Sequence, residues 1–117
     1  MKGLYIHIPF CRSKCFYCNF SSWAGKERLI ENYLKALFGE MEKYRGESIY
    51  SVFIGGGTPT FLSLSHLRLM LEKVCSTFAI QADAEISIEA NPGTVDHDKL
   101  ALLKNLGINR LSFGVQS

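Results

Sequence analysis

Ile49-Tyr50-Ser51-Val52-Phe53-Ile54, halted by Gly55-Gly56-Gly57, decides the fold of this chain. The run is β-branched and aromatic and ends on residues that break regular structure, so it reads as a strand. Downstream, Leu67, Met70, Leu71, Val74 and Phe78 recur at helical spacing. Ser65 is the expected N-cap of that helix, which should run to about Phe78. Glu85-Ile86-Ser87-Ile88-Glu89 is a further strand, stopped by Asn91-Pro92-Gly93. Thr94 can cap a third helix with Leu100, Leu103 and Leu106 inward and Gly107 at its C-terminal end. Asp96, His97 and Asp98 in its first turn suit the helix dipole, which gives them a capping role and no chemistry. Arg110-Leu111-Ser112-Phe113-Gly114-Val115 follows as a strand.

Upstream, residues 27–44 place Leu29, Ile30, Tyr33, Leu34, Leu37, Phe38 and Met41 on one helical face, ended near Gly46. Leu4-Tyr5-Ile6-His7-Ile8 opens the chain as a strand. The order is β-α-β-α-β-α-β, which predicts a parallel sheet with right-handed crossovers. After the fourth strand no helix remains to cover it. The chain is expected to be about half of a curved α/β barrel, a fragment that associates or dissolves poorly when expressed alone.

The 117 residues suit one domain or a piece of one. A net charge of +2 with scattered Lys and Arg argues against a nucleic-acid partner. The first strand is too short and too broken by His7 and Pro9 for a signal peptide. No apolar run approaches the roughly 20 residues of a membrane span. A cytoplasmic protein that is not integral to a membrane is expected, with its four cysteines reduced.

Three of those cysteines, Cys11, Cys15 and Cys18, have the spacing C-x3-C-x2-C on the loop after the first strand. Three thiolates from one compact loop can hold three irons of a four-iron cluster and leave the fourth iron open to a small molecule. Phe16 and Tyr17 lie between ligands, where aromatic rings could exclude water or pack on a cofactor. The competing reading is a structural zinc site completed by His7 or Cys75. Cys75 is better explained as a small buried helix residue. His7 is either a packed core residue or a group pointing at the strand ends.

Every special cluster follows a strand, and in parallel α/β folds sites form at the C-terminal strand ends. Gly55-Gly56-Gly57-Thr58-Pro59-Thr60 has neither the lysine of a P-loop nor the G-x-G-x-x-G spacing. A zwitterionic amino-acid moiety is a better guest than a phosphate, with its ammonium on carbonyls and its carboxylate on N–H groups; taken alone, the triplet is equally well just a tight turn. Glu89 could accept from a sugar diol or an ammonium, or be a solvated strand end. Glu85 belongs nearer the rim. Gln116 could donate and accept at the same mouth, or be a surface residue near the chain end.

Cys11-Arg12-Ser13-Lys14-Cys15-Phe16-Tyr17-Cys18 resembles the cluster motif of the radical S-adenosylmethionine (SAM) family. Tyr5-Ile6-His7-Ile8-Pro9-Phe10, the Gly55–57 segment, Glu89-Ala90-Asn91-Pro92-Gly93 and residues 110–117 resemble one of its branches. That branch holds oxygen-independent coproporphyrinogen III oxidases and haem chaperones. The resemblance covers the whole chain. It implies that residues 1–117 are the N-terminal, incomplete part of a radical-SAM core, half of a partial TIM-type barrel with parallel strands. It implies a 4Fe-4S cluster on Cys11, Cys15 and Cys18. It implies SAM contacts from Tyr5, Tyr17, Gly56, Gly57, Thr58, Glu89 and Gln116, and assigns no acid–base residue. The open iron would chelate the methionine of SAM, and one electron would cleave a carbon–sulfur bond. The implied partners are SAM, haem or a porphyrin precursor, and an electron donor. Oxidases of the branch typically carry another cysteine two positions after the third ligand, where Phe20 stands here, and a long segment before the motif. Both differences favour a haem chaperone, with the oxidase as the alternative and a structural zinc module as the alternative of another class.

Overall fold

In the computed structural model, which describes residues 2–10, 23–91 and 95–113, the expected alternation is present. Strand β1 (Lys2–Ile8), helix α1 (Trp23–Glu42), β2 (Ser48–Gly56), α2 (Leu64–Thr77), β3 (Ala79–Ala90), α3 (His97–Asn105) and β4 (Arg110–Phe113) follow in order. The four strands form one sheet in the order β1-β2-β3-β4, and each neighbouring pair is parallel. Among the described residues, no helix is long and apolar enough to cross a membrane.

The two faces of the sheet differ because side chains alternate along a strand. Ile6, Ile8, Val52, Ile54 and Ile88 point to one face and are buried. They join Ile30, Leu34 and Met41 of α1, Leu67, Met70, Leu71 and Val74 of α2, and Leu103 of α3 in a continuous core. The opposite face carries Tyr5, His7, Phe53, Glu85 and Arg110, all exposed.

Several local expectations change. Ser63, not Ser65, caps α2: its extended backbone (φ −66°, ψ 164°) lets Oγ accept the His66 N–H at 3.2 Å. Ser65 then lies within the first helical turn. Asp96, not Thr94, caps α3, its carboxylate accepting the Lys99 N–H at 2.8 Å; Thr94 is outside the described residues. Leu100 is 40% exposed, so the buried stripe of α3 is centred on Leu103 rather than shared by all three leucines. Gly107 ends this helix with φ +104°, as the left-handed C-terminal position requires. Strand β3 is twelve residues long rather than five. Ala79 and Ile80 already pair with Ser48 and Ile49, and the register then shifts so that Ser51 meets Glu85. The polar interruption at Gln81 to Asp83 sits in that bulge, which hides the strand from a period-two search.

Cys75 is exposed, which overturns the expectation of a buried helix residue. It lies near the C-terminal end of α2, which runs directly into the start of β3. It is therefore at the end of the sheet opposite the strand exits. Between α1 and α2, Glu42 receives hydrogen bonds from Arg45 and Lys73, which hold its carboxyl down to about 2.

Gly39 lies inside α1, and a Cβ there would meet nothing within 4 Å. Gly39→Ala is expected to stabilise the protein by about 0.5–1 kcal/mol through helix propensity alone. A rise in the denaturant midpoint with an unchanged slope checks this.

Candidate functional site at the strand exits

Gly55 to Thr58 leave β2 beside the exit of β1, and Glu89 stands at the end of β3. Gly56 and Gly57 are required here for measurable reasons, and Gly55 is crowded by side chains. Gly56 has φ +114°, and a Cβ on it would lie 2.7 Å from the Ile8 carbonyl oxygen and 2.9 Å from the His7 ring. A Cβ on Gly55 would lie 2.4 Å from Glu89 Oε1, and one on Gly57 would lie 2.6 Å from the Phe10 carbonyl oxygen. At Gly56 and Gly57 the backbone at the exit of β1 thus approaches more closely than any side chain permits, whereas the neighbours of Gly55 are the Glu89, Phe53 and Tyr5 side chains.

The N–H groups of this loop are engaged within the protein. Gly56 N–H donates to Glu89 Oε1 at 2.9 Å. Gly57 N–H donates to the Ile8 carbonyl at 2.8 Å and Thr58 N–H to the Phe10 carbonyl at 2.6 Å. The expected capture of a ligand carboxylate by these N–H groups therefore has no free donors among them. Their evident work is to fix residues 8–10, the residues that lead into Cys11. Phe10 itself is fully buried, with its ring edge-on to Tyr33 at 5.5 Å. The Tyr33 hydroxyl donates to the His7 carbonyl. Burial, and secondarily the nearby Tyr5, push the Tyr33 phenol above its ordinary value, which keeps it a donor.

Glu89 is half-buried and bonded to the loop, so it is not a solvated strand end. An ionised carboxylate with one donor bonded retains further acceptor capacity. Tyr5 is 57% exposed; its hydroxyl lies 3.3 Å from His7 Nδ1 and its ring stacks on Phe53 at 5.8 Å. His7, undecided from sequence, stands with Tyr5 on the open face. Glu85 also faces that side and pairs with Arg110 at 2.6 Å, which raises the Arg110 guanidinium above its usual value. A depression of about 260 Å³ lies between Phe53, Glu85, Ser87, Arg110 and Ser112. A larger groove of about 590 Å³ lies beside α3 and the start of β4, lined by Leu100, Lys104 and Leu111, away from the strand exits.

The structure brings together Tyr5, Gly56, Gly57, Thr58 and Glu89 from the expected set. Cys11, Cys15, Tyr17, Cys18 and Gln116 lie outside the described residues. Sequence reasoning missed Phe53 and Tyr33. Phe53 shares the parity of Gly55 on β2, which was a usable signal. Nothing in the spacing of Tyr33 separated it from the buried stripe of α1.

Known proteins resemble this arrangement. Residues 5–117 match the family described as the Radical SAM superfamily. Over 98% of its length the chain is 42% identical to the heme chaperone HemW of Escherichia coli, strain K12, covering 32% of that protein. It is 45% identical to HemW of Synechocystis over 97% of its length and 29% of the relative. HemW of Bacillus subtilis is 41% identical over 100% of the chain and 32% of the relative. The chain thus spans about a third of the length of these relatives. Among solved structures, coproporphyrinogen III oxidase (HemN) from Escherichia coli, a radical SAM enzyme, matches with a TM-score of 0.82. Identity there is 35%, over 98% of this chain and 28% of the other. The four parallel strands and their helices are accordingly part of a TIM-type radical-SAM barrel.

Proposed function

Because the chain belongs to the radical SAM superfamily, we propose that it is the N-terminal part of a radical-SAM core serving a HemW-like haem chaperone. In this reading Cys11, Cys15 and Cys18 hold a 4Fe-4S cluster. Tyr5, Tyr17, Gly56, Gly57, Thr58, Glu89 and Gln116 contact SAM. The protein is cytoplasmic, does not bind nucleic acid, and meets haem and an electron donor as partners.

The residues at the strand exits fit such a cofactor. Glu89 offers a carboxylate to an ammonium or a ribose diol. Tyr5 offers a hydroxyl and an accessible ring face. The glycine loop, with no room for a Cβ, lies directly against the exit of β1 and holds it beside Glu89. When bound, cluster and SAM together supply one-electron cleavage of a carbon–sulfur bond. The chain's own residues supply placement. Gly57 and Thr58 pin Ile8 and Phe10 through backbone bonds, and Tyr33 holds His7 from behind. The cysteine loop thereby starts from a fixed point, which preorganises the ligands it carries.

The observation that carries the chaperone over the oxidase is the comparison within one organism. The chain is 42% identical to the Escherichia coli chaperone and 35% identical to the Escherichia coli oxidase, over 98% of its length in both cases. Phe20, where the oxidases typically have a cysteine, agrees. The zinc-module alternative loses Cys75, which sits at the other end of the sheet. The full-length protein, loaded with cluster and SAM without oxygen, tests the assignment. It is expected to bind haem stably and to leave coproporphyrinogen III unchanged. Decarboxylation to protoporphyrinogen IX would replace the chaperone by the oxidase and leave the cofactor assignments standing.

A further inference from the structure

Away from the strand exits, three side chains converge between the N-terminal half of α1 and the first turn of α2. Glu27 and Glu31 are four residues apart on α1 and share one face. His66 reaches them from the first turn of α2. One ligand-capable atom from each lies within 4.8 Å of the others.

His66 is 6% exposed, and its ring is held from behind. Ser63 Oγ lies 3.1 Å from Nδ1. That hydroxyl already accepts the His66 backbone N–H, and its second lone pair can accept Nδ1–H. In this tautomer Nε2 presents a lone pair to the two carboxylates. Glu31 Oε2 stands 3.7 Å from Nε2, and among the described residues nothing hydrogen-bonds to Nε2. That distance is too long for a hydrogen bond. It is close to the roughly 3.4 Å that separates two ligands of one tetrahedral zinc with bonds of about 2.0–2.2 Å. A buried imidazole oriented by a hydroxyl at its other nitrogen is also the usual support of a metal-bound histidine.

We propose that Glu27, Glu31 and His66 form a site for a borderline divalent cation of the zinc type, with water completing the coordination. Two carboxylates and one imidazole suit such an ion, and small rotations of the two glutamates close the remaining gap. The ion would clip the start of α1 to the start of α2. Because α1 is the element that follows the cysteine loop in sequence, the clip would anchor the far side of that loop. The site shares no residue with the cluster and SAM assignments, and it goes beyond them.

The test uses the full-length protein with its cluster, dialysed anaerobically against zinc. Metal analysis gives stoichiometry, and X-ray absorption at the zinc edge reads the donors without interference from iron. One retained zinc with nitrogen and oxygen at about 2.0–2.1 Å and no sulfur at about 2.3 Å is expected. Glu31→Gln alters an exposed carboxylate and is expected to weaken zinc binding about tenfold or more. His66→Gln is expected to abolish it. No retained zinc, zinc bound through sulfur, or equal binding by Glu31→Gln and the parent protein overturns the site. Loss of this zinc with cluster iron intact would count against the clip alone. Zinc on sulfur in place of iron would count against the cluster as well as against this site.

Discussion

Gly56→Ala in the full-length protein is expected to lower the unfolding free energy by several kcal/mol and to abolish the effect of SAM on the EPR signal of the reduced cluster. Two costs coincide at this position. The backbone has φ +114°, which an L side chain rarely adopts, and such strain costs about 1–3 kcal/mol. The new Cβ also meets the Ile8 carbonyl oxygen at 2.7 Å and the His7 ring at 2.9 Å, and overpacking adds about 1–3 kcal/mol. From sequence, the glycine would matter only to the guest it admits. The contacts with His7 and Ile8 extend the expected damage to the exit of β1, so cluster iron should fall as well. Denaturant titration and EPR with and without SAM check both parts, with Gly39→Ala as the control. A Gly56→Ala protein with the parent's midpoint and SAM response would remove the glycine loop from the site.

Cys15→Ala is expected to take the full-length protein from about four irons per chain after anaerobic reconstitution to essentially none, since two thiolates cannot hold the cluster. Cys75→Ser is expected to leave iron unchanged, because Cys75 is exposed at the opposite end of the sheet. Iron analysis and the visible absorption of the cluster provide the measurement. Full iron in Cys15→Ala, or iron lost in Cys75→Ser, would contradict the ligand assignment.

The identity and order of the strands and helices were legible because each carries a local signal. Apolar residues recur every third or fourth position in α1 and α2, and β-branched runs end in Gly or Pro. Ile30, Leu34, Leu67, Met70, Leu71 and Val74 are buried as that spacing required. Caps were read less well. Ser63 and Ser65 are both competent, and only the path of the chain out of the Pro59–Phe61 turn selects Ser63. Lys99, whose ammonium donates to the Thr60 carbonyl and is pushed below its ordinary value chiefly by burial, ties that turn to α3. No sequence pattern announces such a tie.

By itself the sequence determined the parallel α/β alternation, the C-x3-C-x2-C loop and the resemblance that named its cofactors. These depend on residue type and short spacing, which a linear reading contains. Only the tertiary structure decided what the glycines do, which way His7 faces, and that Cys75 is exposed. It also brought Glu27 and Glu31 to His66. Each of these depends on which backbones lie within a few ångströms across the sheet or between helices, and that proximity is set by register and packing, not by neighbours in sequence.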